Sequence, residues 1–164
     1  MALAIRNVTE HEVGDFVAVL KDAAIWLKNE GMEMWDPNQL SAVHLLKYNS
    51  IDQLFIGYMN HEAAAVMILQ EEDPTFWPDA KGDSLFIHKL AVRRDYAKQG
   101  YSRAMIQWAK TRARSLNKKY VRLDCAADRP KLREFYELQG FQKVSERIMF
   151  GTYPTAFYEV EIHF

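Results

Sequence analysis

The stretch SLFIHKLAVRRDYAKQGYSRAMIQWAKTRARSL, residues 84–116, changes character twice. Its first nine residues are mostly apolar and end at Val92, which reads as a buried strand. From Gly100 to about Leu116, the residues Tyr101, Ala104, Met105, Trp108, Ala109 and Leu116 recur at helical spacing, leaving Arg103, Lys110 and Arg114 on the other face. A strand therefore passes into a helix through one glycine that has Arg93, Arg94, Lys98, Arg103 and Lys110 within ten residues of it. The first backbone N–H groups of such a helix have no intrahelical partner, and the helix dipole adds partial positive charge there. Glycine lets an anion approach that backbone closely, so the pattern predicts a pyrophosphate site. Taken alone, the glycine also fits a tight turn, because neither G-x-G-x-x-G nor G-x-x-x-x-G-K-[ST] is present.

Charge around this stretch is uneven. Residues 1–80 hold 13 acidic and 4 basic side chains, whereas residues 81–122 hold 12 basic side chains and only Asp83 and Asp95 as acids. The middle of the chain favours an anion, although a solvated basic helix face would have the same composition. The net charge of −1 argues against a general nucleic-acid binder. A length of 164 residues with 49% hydrophobic content suits one domain, expected to span 1–164. The longest apolar run, AAAVMIL, is far short of the roughly 20 residues a membrane span needs, and the N-terminus lacks the layout of a secretion signal. Cys125 is the single cysteine, so no internal disulfide is expected. These features suggest a cytoplasmic monomer or homodimer with neither membrane nor nucleic acid as partner.

The remaining elements read as mixed α/β. LAIRNV is a first strand, and Thr9 with Glu12 at capping-box spacing opens a helix with Val13, Phe16, Val17, Leu20, Ala24 and Leu27 on one face. Gly31 is a stop signal, DPNQLSAVHLLKY a short second helix, and QLFIGYMN with EAAAVMILQ a hairpin around Asn60 and His61. An acidic loop, EEDPTFWPDAKGD, precedes the quoted strand. After the quoted helix come the strand KYVRLDC, the helix RPKLREFYELQ, with Asp128 as its expected N-cap, and the strands FQKVSERIMF and AFYEVEIHF.

LAVRRDYAKQGYSRAMIQWA followed by VRLDCAADRPKLREFYELQGF resembles the GCN5-related N-acetyltransferases. The resemblance is strong over roughly residues 84–145 and loose elsewhere. It implies an α/β (α+β) fold with a mixed, twisted, largely antiparallel sheet of about six to seven strands and helices on both faces. It further implies acetyl-CoA as cosubstrate, with no metal. The triplet Leu90, Ala91 and Val92 would pair with the pantetheine arm, and Lys98, Gln99, Gly100, Tyr101, Ser102 and Arg103 would wrap the pyrophosphate. Two departures are visible in the loop. Ala97 stands where the family pattern has Gln or Arg, and Ser102 where it has Gly or Ala.

In the second block the resemblance places Tyr136, before ELQGF, near the CoA sulfur. A phenol titrating near 10 can reprotonate a thiolate titrating near 8.5 within a tight complex, although a structural tyrosine would occupy the same place. Arg129 stands where the family has an asparagine, and it either contacts the cofactor or faces solvent. An alkylammonium must lose a proton before it attacks a thioester. Asp124, acidic within an apolar strand, and His88, on the strand before Leu90, are the two candidate bases beside a water chain. Trp26, Trp35 and Trp77, with Glu30, Glu33, Asp36 and the acids at 71–73, either receive a cationic amine or belong to the core and to a solvated loop. The expected activity is acetyl transfer to a primary amine of a small molecule or peptide. A non-catalytic acyl-CoA sensor of the same fold is the alternative, suggested by Arg129.

Overall fold

The computed structural model describes residues 2–164; Met1, the first residue of the expected 1–164 domain, lies outside the described residues. One mixed sheet contains β1 (Ala4–Asn7), β2 (Leu54–Met59), β3 (Glu62–Gln70), β4 (Ser84–Val92), β5 (Tyr120–Ala126), β6 (Gln142–Met149) and β7 (Tyr153–Glu161). The strand order is β1-β2-β3-β4-β5-β7-β6. The β4–β5 pair is parallel, whereas β1–β2, β2–β3, β5–β7 and β6–β7 are antiparallel. The helices are α1 (Val13–Asn29), α2 (Ala42–Tyr48), α3 (Tyr101–Ser115) and α4 (Pro130–Leu138). The chain divides into two compact units, Met1–Leu69 with His88–Trp108, and Gln70–Ile87 with Ala109–Phe164.

In the first unit, the backbone N–H of Thr9 donates to Glu12 Oε1 at 2.9 Å, completing the expected capping box over a 3-10 turn that leads into α1. Phe16, Val19, Leu20 and Ala24 of α1 are fully buried, and Leu27 is half-buried. Each large side chain buried in this way contributes roughly 1.5–3 kcal/mol. Gly31 ends the helix at φ 72, with Met32 N–H donating to Leu27 O at 2.8 Å. The expected second helix is divided. Pro37–Gln39 forms a 3-10 turn, and Ser41 then caps α2 by accepting from His44 N–H at 3.1 Å. Asn60 and His61 have φ 51 and 66, the left-handed pair that a two-residue hairpin between β2 and β3 requires.

In the second unit, β4 and β5 are in parallel register at Ser84↔Tyr120, Leu85↔Val121 and Phe86↔Arg122. β5 pairs with β7 from Tyr120↔Glu161 to Ala126↔Thr155, so β7 begins three residues before the expected AFYEVEIHF. Trp77 packs its ring 5.4 Å from Phe157 and 5.9 Å from Phe86, which makes it a core residue of the acidic loop. Lys110 departs from the expected exposed face. It is half-buried and donates to Gln139 O at 2.6 Å, satisfying a carbonyl at the C-terminal end of α4.

Candidate active site

The predicted phosphate cradle lies in the first unit. β4 ends at Val92, with Ala91 buried and Leu90 and Val92 half-buried. Arg93 then anchors the chain, its backbone N–H donating to Ala64 O at 2.8 Å and its Nε to Ala63 O at 3.0 Å. The next residue is held equally firmly: Arg94 N–H donates to Asp22 Oδ2 at 2.8 Å, and the Arg94 guanidinium lies 3.5 Å from the Trp26 ring centroid. Past this anchor, Lys98 and Gly100 adopt left-handed φ values of 62 and 82. Nothing lies within 4 Å of a Cβ added at Gly100, so the turn is open on that side and φ alone selects glycine. The first carbonyl-bonded N–H of α3 belongs to Ala104, donating to Gly100 O at 3.0 Å. The donors of Tyr101, Ser102 and Arg103 therefore precede the helical ladder and point along the helix axis. Lys98, Gln99, Gly100 and Arg103 are exposed, whereas Tyr101 and Ser102 are half-buried. Left-handed turns before a free helix N-terminus create a concave array of N–H groups, a fit for pyrophosphate oxygens.

Also in the first unit, His88 is half-buried on β4, and Lys89 beside it departs from strand geometry at φ 49. Trp35 lies 5.9 Å from Lys89 Nζ. Two of the three predicted acceptor tryptophans thus have assignments of their own, Trp26 beneath Arg94 and Trp77 in the core with the Arg122 guanidinium 4.9 Å from its ring.

The second unit holds Asp124, Arg129 and Tyr136. Alternation along β5 buries Val121, Leu123 and Cys125 and places Asp124 on the half-buried face with Arg122 and Ala126. A carboxylate oxygen of Asp124 lies within 4.8 Å of one from Asp73. Asp73 is buried and fixed in its loop, accepting from Phe76 N–H at Oδ1 (3.1 Å) and from Trp77 N–H at its carbonyl (2.8 Å). Burial, and secondarily the Asp73 charge, push Asp124 up to about 7. Burial also pushes the Cys125 thiol up to about 11, which removes it as a nucleophile near neutrality.

Tyr136 is buried on α4, its ring 5.5 Å from Phe135 and 5.9 Å from Phe141. Burial, with the nearby Cys125 and Asp124, raises its hydroxyl well above the ordinary tyrosine value. The thiol–phenol match expected from unperturbed values is therefore looser in the free protein. Tyr153, at the start of β7, was not foreseen as a site residue. It is half-buried and pushed up to about 12 by burial first and Asp124 second. No local signal marks it, because its approach to Asp124 depends on the register of β7 against β5. Arg129, rather than the expected Asp128, is the N-cap of α4, since Pro130 at the first helical position holds the preceding residue out of helical conformation. The Arg129 side chain is half-buried.

Comparison with known proteins places these features in a family. The model of the Acetyltransferase (GNAT) family matches residues 16–141. The uncharacterized N-acetyltransferase YesJ of Bacillus subtilis (strain 168) is 33% identical, over 76% of this chain and 73% of that protein. The crystal structure of a GNAT-family acetyltransferase from Listeria monocytogenes 4b F2365 superposes with a TM-score of 0.82 at 22% identity, covering 97% of this chain and 94% of the other. That of yncA from Salmonella typhimurium with its cofactor acetyl-CoA gives 0.73 at 11% identity, covering 100% and 96%. A match from within α1 to the residue before β6 embraces both the β4–α3 turn and the β5–α4 segment, and the chain accordingly belongs to the GNAT family and is an N-acetyltransferase.

Proposed function

We propose that residues 1–164 act as one cytoplasmic domain that moves the acetyl group of acetyl-CoA directly to a primary amine of a small molecule or peptide. In this reading Asp124 is the general base and Tyr136 the general acid, with no metal assigned to either step. The cofactor's phosphates are held by the N–H groups and side chains of Lys98, Gln99, Gly100, Tyr101, Ser102 and Arg103, and Leu90, Ala91 and Val92 align its pantetheine arm. Arg129 adds donors for its carbonyls or phosphates. The Salmonella relative carries acetyl-CoA on the same fold, which supports the assignment.

Acetyl-CoA supplies an acyl carbon activated as a thioester, from which the amine nitrogen displaces sulfur. An ammonium has no lone pair, so a base must first take its proton. The observation that carries the assignment to Asp124 is its carboxylate on the half-buried face of β5, within 4.8 Å of the fixed carboxylate of Asp73. A group poised near 7 is half ionised at working pH and is therefore able both to accept a proton and to release it. Its charge is one of the influences that raise Tyr136. When Asp124 takes the amine proton that influence disappears, and Tyr136 becomes a better acid as the sulfur acquires charge. Base and acid are coupled in the order that the transfer needs.

The test is thiol release from acetyl-CoA over an amine panel as a function of pH, in the parent, Asp124→Asn and His88→Gln. The parent rate is expected to rise with pH through about 7, because only the carboxylate form accepts. Asp124→Asn is expected to slow turnover by roughly 10²-fold and to remove that limb. Loss of the limb in His88→Gln alone would move the base to His88. Its persistence in both variants would assign it to the amine's own ionisation, with a water chain carrying the proton.

A further inference from the structure

Lys89 stands apart from the other basic residues of its unit. Arg93 is within 3.7 Å of Glu62, and Arg94 is stacked on Trp26. Lys89 is half-buried on β4, and burial lowers its ammonium. Its backbone is held at φ 49, a left-handed conformation that a non-glycine residue keeps only where the surrounding structure over-determines it. The nearest ring is Trp35, 5.9 Å from Nζ, which is itself half-buried against the core of α1, β2 and β3. Lys89 therefore presents a partly desolvated cation beside an aromatic wall. Such a cation binds an incoming anion more strongly than a solvated lysine does.

Position decides which anion. Lys89 precedes the Leu90–Val92 triplet, about 10 Å back along the strand from Val92 at some 3.3 Å per residue. The phosphate cradle at Lys98–Arg103 follows the other end of that triplet, so Lys89 stands on the acceptor's side.

We propose that Lys89, walled by Trp35, binds a carboxylate of the acceptor, so that the substrate is an amine that also carries a carboxylate group. This rests on the acetyltransferase reading. A compact amine bearing its carboxylate a few bonds from the nucleophilic nitrogen would be held by one charge-assisted contact while the nitrogen is free to attack. Neutral and purely cationic amines lack that contact and face the Lys89 charge.

Two measurements test it. The first titrates the Lys89 ammonium by NMR in protein with carbon-labelled lysines, assigned through Lys89→Met, with propionate, propionamide or orthophosphate at about 0.1 M. Propionate is expected to raise the titration point, since a bound anion favours the charged form, and propionamide to leave it in place. The second compares kcat/KM for amino carboxylates with that for their matched amides. A preference of about 10-fold or more is expected, which Lys89→Met brings near 1 and Lys89→Arg largely keeps. The proposal needs both results. It is overturned if propionate has no effect, if orthophosphate alone acts, or if the preference is missing in the parent or survives in Lys89→Met. Failure of the acetyltransferase reading has a different signature, no stabilisation by CoA and no thiol release from any amine, while the propionate titration still reads Lys89 by itself.

Discussion

At the scale of single residues, Asp124 binds more protons folded than unfolded between about pH 4 and 7, because its folded value is raised. Stability is therefore expected to fall as pH rises through that window. Asp124→Asn removes the burden, and we expect the variant to be more stable than the parent at pH 8 by about 2–4 kcal/mol and nearly equal to it at pH 4, read from melting curves at both values. A gain in stability together with loss of turnover would mark a residue kept for chemistry. Tyr136→Phe is expected to lower kcat by about 10- to 100-fold with CoA affinity almost unchanged, since the hydroxyl acts as sulfur leaves. Equal kcat in the variant would make Tyr136 a packing residue against Phe135 and Phe141. Asp124 was legible in the sequence as an acid among apolar neighbours. Asp73 was named only among the acids at 71–73, and its approach to Asp124 was not legible, because it lies 51 positions earlier in a loop whose composition reads as solvated.

The turn between β4 and α3 is the element to which we assign the cofactor's phosphates. Gly100→Asp adds a side chain at φ 82 and a negative charge beside the free N–H groups of α3. We expect it to abolish the rise in melting temperature produced by millimolar CoA. Gly100→Ala, with space available for its Cβ, is expected to cost about 1 kcal/mol in stability and to weaken CoA less than Asp does. An undiminished CoA shift in Gly100→Asp would move the phosphates elsewhere. This element was readable because its requirements are local: an apolar strand, a left-handed glycine and an amphipathic helix within one short stretch. The α3 face was read less well, since Lys110 looks exposed by periodicity and is instead consumed by a carbonyl 29 positions later. Sequence spacing places a residue on a helix face but does not say which neighbour covers that face.

For the molecule as a whole, a net charge of −1 conceals a basic middle segment. CoA stabilisation is expected to be larger at low salt than at about 0.5 M salt, where charges exposed near the helix terminus are screened. Thermal shifts at the two salt concentrations measure this directly, and a salt-independent shift would assign the affinity to the pantetheine arm. The sequence by itself determined the order of strands and helices, the hairpin at Asn60–His61, the glycine turn between β4 and α3 and the family, because each rests on periodicity, turn chemistry or a contiguous motif. Only the tertiary structure decided that Asp124 shares its surroundings with Asp73, that Tyr153 approaches Asp124, that Trp26 and Trp77 are occupied by other residues, and that Lys89 is partly desolvated beside Trp35. Those properties come from burial and from strand register, which sum the positions of residues distant in the chain, and no local pattern encodes that sum.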